Sequence, residues 1–300
     1  MNSLKLNNIA HKSGFVNIIG LPNVGKSTLM NQLLGEKLSI VTHKPQTTRH
    51  RILGILSAPE YQIVLSDVPG YVEDMSYEMH RKMNTYIEES FKDGDILLVM
   101  INPGDQTELA PEVLKLIDKS KAYKILVVNK IDLHDSDDVK NTAAQWNEKL
   151  AFDETRLMAA ETGEGVGELL DTLVAHLPEG PAYYPKDQIS NKNVRFFISE
   201  MIREQIFLQF RQEIPYSAQV DIEGYTDKED IIHIDAIIYV NRKSQKYIII
   251  GKNGSAIKQL GIASRKNIEE FIGKQVFLKL HVKVREKWRN NEDLLRKFGY

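Results

Sequence analysis

The chain has 300 residues, which is long for one ordinary domain and enough for two with separate cores. At 42% hydrophobic and 27% charged residues, it is neither a disordered nor a fibrous composition. Cysteine is absent, which excludes disulfides, thiolate metal centres and thiol catalysis and points to an intracellular setting. Apolar runs such as 96–101 fall far short of the ~20 residues that cross a bilayer, and Met1 to Gly14 lacks the apolar stretch of a secretory leader.

The first half alternates short β-rich runs with helix-period segments, the pattern of an α/β domain with a mostly parallel sheet. Ligands on such sheets sit beyond the carboxyl ends of the strands, so the loops after the strands carry the chemistry. The first run, 15–19, leads into Gly20-Leu-Pro-Asn-Val-Gly25-Lys26-Ser27 and a helix from Lys26 to Leu34. This is a phosphate-binding loop in its expected context: backbone N–H groups and the helix N-terminus face the phosphates, Lys26 bridges β and γ, and Ser27 ligates Mg²⁺. Gly20, Asn23, Val24, Gly25 and Thr28 complete the expected set. Next comes Pro45-Gln-Thr47-Thr48-Arg49, where a hydroxyl is expected to complete the Mg²⁺ shell when GTP is bound; Thr48 is favoured over Thr47.

The run 63–65 ends at Asp67-Val-Pro-Gly70, supplying a carboxylate for the metal and, from Gly70, an amide to sense the γ-phosphate. Tyr71 follows, at the position where Ras-like enzymes carry the glutamine that orients the attacking water, so basal turnover is expected to be slow. The run 96–100 and a helical stretch around Val113 to Ile117 precede the run 125–128, which opens on Asn129-Lys130-Ile-Asp132. An Asp carboxylate accepts from both N1–H and N2–H₂ of guanine and finds no such donors on adenine, a difference that rejects the wrong base by roughly 10⁴-fold or more. Ala159-Ala160 is the expected last base-contacting loop, with the Ala160 N–H available to guanine O6.

After a helix marked by Leu169, Leu170, Leu173 and Leu177, three prolines and a glycine in 178–185 set the expected boundary: a nucleotide domain over 1–180 and a second domain over 181–300. Charge divides at the same place. Residues 1–180 carry 18 Lys and Arg against 26 Asp and Glu, a net of −8, and residues 181–300 carry 21 against 15, a net of +6. Within 242–289 there are 13 basic residues and 3 acidic, which suggests a polyanion partner. The second half reads helix (194–210), strand (217–222), strand (231–240), two helices bracketing Gly251-Lys252-Asn253-Gly254, and strand (276–284). Gly-x-x-Gly between two helices lets a sugar-phosphate backbone approach closely. Lys252 and Asn253 are the expected contacts, with Lys258, Arg265, Lys283 and Arg285 around them; Trp288 either stacks a base or packs in the core.

These motifs together, with the ending Leu294-Leu-Arg-Lys-Phe-Gly-Tyr300, resemble the Era GTPases over nearly the whole chain. Val68 and Ala159 depart from the family pattern, which has Thr and Ser there. The resemblance implies a P-loop GTPase domain followed by an α+β type II KH domain, and a cytoplasmic factor that binds GTP and GDP, 16S ribosomal RNA near its 3′ end and the 30S subunit. Mg²⁺ is the implied cofactor. K⁺ is a further one if Asn23 holds a cation beside the phosphates, the alternative being that Asn23 only shapes the loop. A nucleotide-sensing RNA-binding module with negligible hydrolysis is the competing reading. The basic excess also leaves open peripheral association with the inner face of the cell membrane.

Overall fold

The computed structural model describes residues 11–105 and 108–300, so most of the stretch Met1 to Gly14, expected to lack a secretory leader, lies outside the described residues. Contacts divide the chain into two units: one of Met1–Glu36, Ile52–Val68 and Ile87–Asn191, the other of Lys37–Arg51, Pro69–Tyr86 and Lys192–Tyr300. The boundary expected at Gly180 thus differs from the contacts in two ways. Residues 181–191 stay with the first unit because their polar groups bond to it: Gln62 Oε1 accepts from the amides of Tyr183 and Tyr184, and Ser190 Oγ donates to Leu53 O at 2.6 Å. The two segments that carry Thr48 and Gly70 make their contacts with the second unit.

In the first unit, β1 (Lys12–Gly20), β2 (Ile52–Ser57), β3 (Tyr61–Asp67), β4 (Ile96–Ile101), β5 (Tyr123–Val128) and β6 (Glu154–Leu157) form one sheet in the order β2-β3-β1-β4-β5-β6. All neighbours are parallel except β2 against β3. Every residue of β4 is buried, which is why it reads as a continuous apolar run. Helix α1 (Lys26–Leu34) follows β1, and α2 (Glu78–Asp93), α3 (Pro111–Lys119), α4 (Ser136–Lys149) and α5 (Val166–His176) follow in turn. The chain leaves β1 for β3 on one side and returns to β4 on the other, so the ends of β1, β3 and β5 open at the point where ligands bind such sheets.

In the second unit, α6 (Val194–Gln209) and a helical turn α7 (Ile214–Ser217) precede β7 (Gln219–Asp227) and β8 (Ile231–Val240). Ser217, expected to begin a strand, ends that turn, which Pro215 helps to start. Then come α8 (Lys243–Ile250), α9 (Ser255–Ile272), β9 (Gln275–Val284) and α10 (Glu292–Lys297). The sheet runs β7-β8-β9, antiparallel then parallel. Ile232, Ile234, Ala236, Ile238 and Val240 pack toward α6 and α9, while Ile237 and Tyr239 on the opposite face meet Val72, Met79, Met83, Trp288, Leu295 and Phe298. Trp288 is fully buried and donates its Nε1–H to Ser217 O at 2.9 Å, so it packs and does not stack a base.

Charge is also buried there. Arg49 gives its guanidinium to the carbonyls of Ala218, Pro215 and Tyr216 at 2.9 to 3.1 Å, and Arg203 pairs with Glu200 and bonds to Thr47 O. His50 lies 4.3 Å from the Tyr300 ring, and burial holds its pKa down at about 3 despite the nearby Glu200; Lys192, Arg203 and Arg49 push the same way as burial. The imidazole is therefore neutral in the fold and takes a proton near pH 6.5 only when unfolded. Its contribution to stability is complete above pH 6.5 and declines as pH falls toward 3, by about 1.4 kcal/mol per pH unit at most. In a Trp146→Phe background, where Trp288 is the reporting indole, the urea midpoint of the second unit should drop between pH 6.5 and 5. His50→Phe should flatten that drop, and parallel curves for the two proteins would refute the assignment.

Candidate nucleotide and nucleic-acid sites

The phosphate loop begins where β1 ends. Gly25 sits at φ 108°, in the left-handed region, and a Cβ there would meet Asn129 Nδ2 at 2.3 Å. Lys26, the first residue of α1, is 7% exposed, and its Nζ donates to Gly20 O at 2.9 Å and Leu21 O at 2.8 Å. Burial lowers its pKa from 10.5 to about 8, with Asp67 only partly restoring it. A cation this poorly hydrated, at a helix N-terminus, is a place for an anion. Ser27 Oγ donates to Asp67 Oδ2 at 2.7 Å, which joins a hydroxyl and a carboxylate, the hard oxygen donors that Mg²⁺ takes. Thr28 follows, half-buried, in the first turn of α1.

The base end is framed by Asn129, at the end of β5. Its Nδ2 donates to Val24 O at 2.8 Å, and its Oδ1 accepts from the Ala160 N–H at 2.9 Å. That amide, expected to be available to guanine O6, is thus used to hold Asn129. Lys130 takes φ 60° and donates its Nζ to Asn23 O at 2.8 Å, tying the base loop to the phosphate loop. Asp132 is exposed on a 3-10 turn (Ile131–Leu133), and Ala159, buried, pairs with Glu164. Gly20, Asn23, Val24, Gly25, Lys26, Ser27, Asp67, Asn129, Lys130, Asp132, Ala159 and Ala160 all belong to the first unit.

Thr47, Thr48 and Gly70 belong to segments of the second unit. The Thr47 hydroxyl is buried, against Thr42 Oγ1 and Lys44 O at 2.6 Å each, while Thr48 is partly exposed. Sequence reasoning left the Arg49 side chain without a role. Its carbonyl partners lie more than 160 residues away and no local pattern signals them.

In the second unit, residues 252–254 form a 3-10 turn between α8 and α9. Gly251 has φ 73° and a Cβ there would meet Ala256 Cβ at 2.6 Å, while Lys252 and Asn253 are exposed, Asn253 at φ 52°. Lys258, Arg265, Lys283 and Arg285 are exposed as well; Arg265 reaches Glu269 at 3.9 Å and Lys283 reaches Glu223 at 3.5 Å.

A sheet of this order with its phosphate loop, joined to a β-α-α-β unit with Gly-x-x-Gly between the helices, defines a P-loop GTPase domain followed by a KH domain. A family model described as 50S ribosome-binding GTPase matches residues 15–130, and one described as KH domain matches 213–289. GTPase Era of Syntrophus aciditrophicus is 43% identical over 297 residues, covering 97% of this chain and 96% of that protein. The chloroplastic ERA-like GTPase of Arabidopsis thaliana is 42% identical over 301 residues, covering 98% of this chain and 70% of the relative. Era in complex with MgGDPNP and nucleotides 1506–1542 of 16S ribosomal RNA superposes with a TM-score of 0.90 at 34% identity, covering 97% of this chain and 99% of that one. An Aquifex aeolicus Era variant bound to GDP·AlF4⁻ gives the same score and identity over 96% and 99%. This chain belongs to the Era GTPase family.

Asn129→Ala removes both bonds of the frame and leaves the Val24 carbonyl and the Ala160 amide unpaired in the interior. Urea unfolding followed through Trp146 should show a loss of about 2 kcal/mol. GDP affinity should fall with it. An unchanged midpoint would mean that Asn129 does not hold the two loops together.

Proposed function

We propose that this chain is a GTP-hydrolysing switch that binds 16S ribosomal RNA near its 3′ end and assists maturation of the small subunit. The observation that carries the proposal is the buried Lys26 cradle, framed by Asn129, in the same chain as an exposed glycine turn on a basic KH domain. A relative with 34% identity over nearly the whole chain is described with MgGDPNP and the 1506–1542 fragment of that RNA, which supports both halves.

In this reading the functional domains are 1–180 and 181–300. Lys26 and the loop amides bind the β- and γ-phosphates, and Asp132 pairs with N1–H and N2–H₂ of guanine. Ser27, Thr48 and Asp67 hold Mg²⁺, which neutralises charge on the phosphate oxygens. Thr48 is preferred to the buried Thr47 because it is the more exposed of the two. The Gly70 amide senses the γ-phosphate. Tyr71 offers a phenol where a water-orienting amide is wanted, so turnover is slow, and Asn23 recruits K⁺ to add positive charge beside the phosphates. Lys252 and Asn253 meet the RNA backbone, with Lys258, Arg265, Lys283 and Arg285 as the surrounding positive field. A cytoplasmic protein partly held at the inner face of the membrane is the corollary of that field, and co-sedimentation with anionic vesicles tests it.

One set of assays separates the parts. GTP turnover and RNA affinity are measured with the 1506–1542 RNA for the native chain, for Asp132→Asn and for the double variant Lys252→Asp, Asn253→Asp. Asp132→Asn should lose GTP and gain xanthosine triphosphate, whose 2-oxo group accepts from an amide. The double variant should lose RNA binding while keeping GTP affinity. Turnover in K⁺ should exceed that in Na⁺. Undiminished GTP affinity in the first variant would remove the guanine assignment, and undiminished RNA affinity in the second would remove the KH assignment. No measurable phosphate release under any condition favours the nucleotide-sensing module without hydrolysis, the reading that Tyr71 supports.

A further inference from the structure

Helix α8 ends at the glycine turn, but its first turns present a different surface. Tyr247 is 70% exposed, the most exposed of the large aromatic and aliphatic side chains among the described residues. It lines a hollow of about 370 Å³ together with Lys243, Lys246, Lys283, Val284 and Arg285. Every ionisable side chain around that hollow other than the tyrosine is a cation. Lys283 reaches Glu223 at 3.5 Å, whereas Lys243, Lys246 and Arg285 have no ion-pair partner among the described residues. Four cations held around one concavity repel each other unless a polyanion enters it.

We propose that this hollow is a nucleotide subsite adjoining the glycine turn: an unpaired base stacks on the Tyr247 ring while its flanking phosphates are met by Lys243, Lys246, Lys283 and Arg285. The proposal rests on the RNA-binding reading and extends it by one position. Two features select a nucleic-acid strand over other anions. An exposed aromatic face among cations suits a nucleobase joined to phosphate, since stacking is indifferent to base identity. Tyr247 also precedes Gly251 by four residues, about 6 Å along the helix, so a strand crossing the glycine turn passes the ring with its next nucleotides. An anionic lipid surface supplies charge too, and the vesicle arm of the test below separates it from a nucleic-acid strand.

The test uses the full-length protein and the 1506–1542 RNA, together with a set of the same RNA shortened one nucleotide at a time from either end. Tyr247→Ala should weaken binding of the full fragment about ten-fold. On the shortest fragments that still bind, native and variant should agree, because those strands end before the ring. Tyr247→Phe should bind like the native chain, since the ring face and not the hydroxyl makes the contact. Lys243→Ala and Lys246→Ala should each reduce the log–log salt slope by about 0.7. Equal affinity of native and Tyr247→Ala for every length would overturn the subsite and leave the glycine-turn reading standing. Absence of any native binding would overturn both. A parallel arm uses vesicles of phosphatidylglycerol: binding there that depends on Tyr247, with none of the RNA effects, would assign the hollow to lipid and overturn the proposal. Tyr247 is so exposed that its removal leaves the fold intact, and matching thermal melts of the variants verify it.

Discussion

An ammonium group with almost no water around it governs the first unit. Lys26 is placed at the end of β1 by the loop that wraps it, and its nearest acceptors are the carbonyls of Gly20 and Leu21, which are dipoles and not a counter-charge. Burial lowers its pKa to about 8, so the protein holds a cation at a cost that a bound phosphate removes. The surroundings follow from keeping that cation in place. Parallel pairing of β1 with β3 and β4 brings Asp67 to the same edge of the sheet, and β5 delivers Asn129, whose two bonds lock the phosphate loop to the Ala159-Ala160 loop. Lys130 then ties the base loop to Asn23.

The second unit is arranged around a different economy. Its sheet buries both faces at the C-terminal end of β8, one against α6 and α9 and one against the C-terminal segment and residues Val72, Met79 and Met83. With the interior thus closed, the basic residues of 242–289 lie mostly on the surface, and Lys243, Lys246, Lys283 and Arg285 gather beside α8. The segments carrying Thr48 and Gly70 share the contacts of this unit. Arg49 on three carbonyls and Arg203 on Thr47 O are among the bonds that hold the first of them, so its backbone is constrained on either side of Thr48.

Much of this was legible in the sequence, for reasons that can be given residue by residue. Helix α1 and strand β8 fall on the residues expected, because glycine and lysine punctuate the first and recurrent isoleucines mark the second. Strand β2 was not anticipated: Gly54 interrupts a short run that ends in Ser57, a weak period-2 signal, and the strand is sustained by its pairing with β3 on one side and the backbone bond from Ile55 N–H to Ile189 O on the other. Trp288 was undecided because aromatic character suits stacking and packing equally, and burial chooses between them. The motif residues of the nucleotide site were readable one by one, but their bonds were not. Asn129 and Val24 are 105 positions apart, and Arg49 meets Ala218 across 169. Periodicity cannot see such partners, nor could it assign residues 37–51 to the second unit.

The account turns on Lys26 being a phosphate-answering cation in a guanine-specific site, and its titration reports that directly. With the lysine side chains ¹⁵N-labelled, the Lys26 ammonium should titrate near pH 8 in the nucleotide-free protein. In saturating GDP with Mg²⁺ it should stay protonated past pH 10, because the phosphates offset the desolvation, and the same concentration of ADP should leave it near 8. A Lys26 resonance that titrates at the same pH with and without GDP, or that responds equally to ADP, would contradict the account.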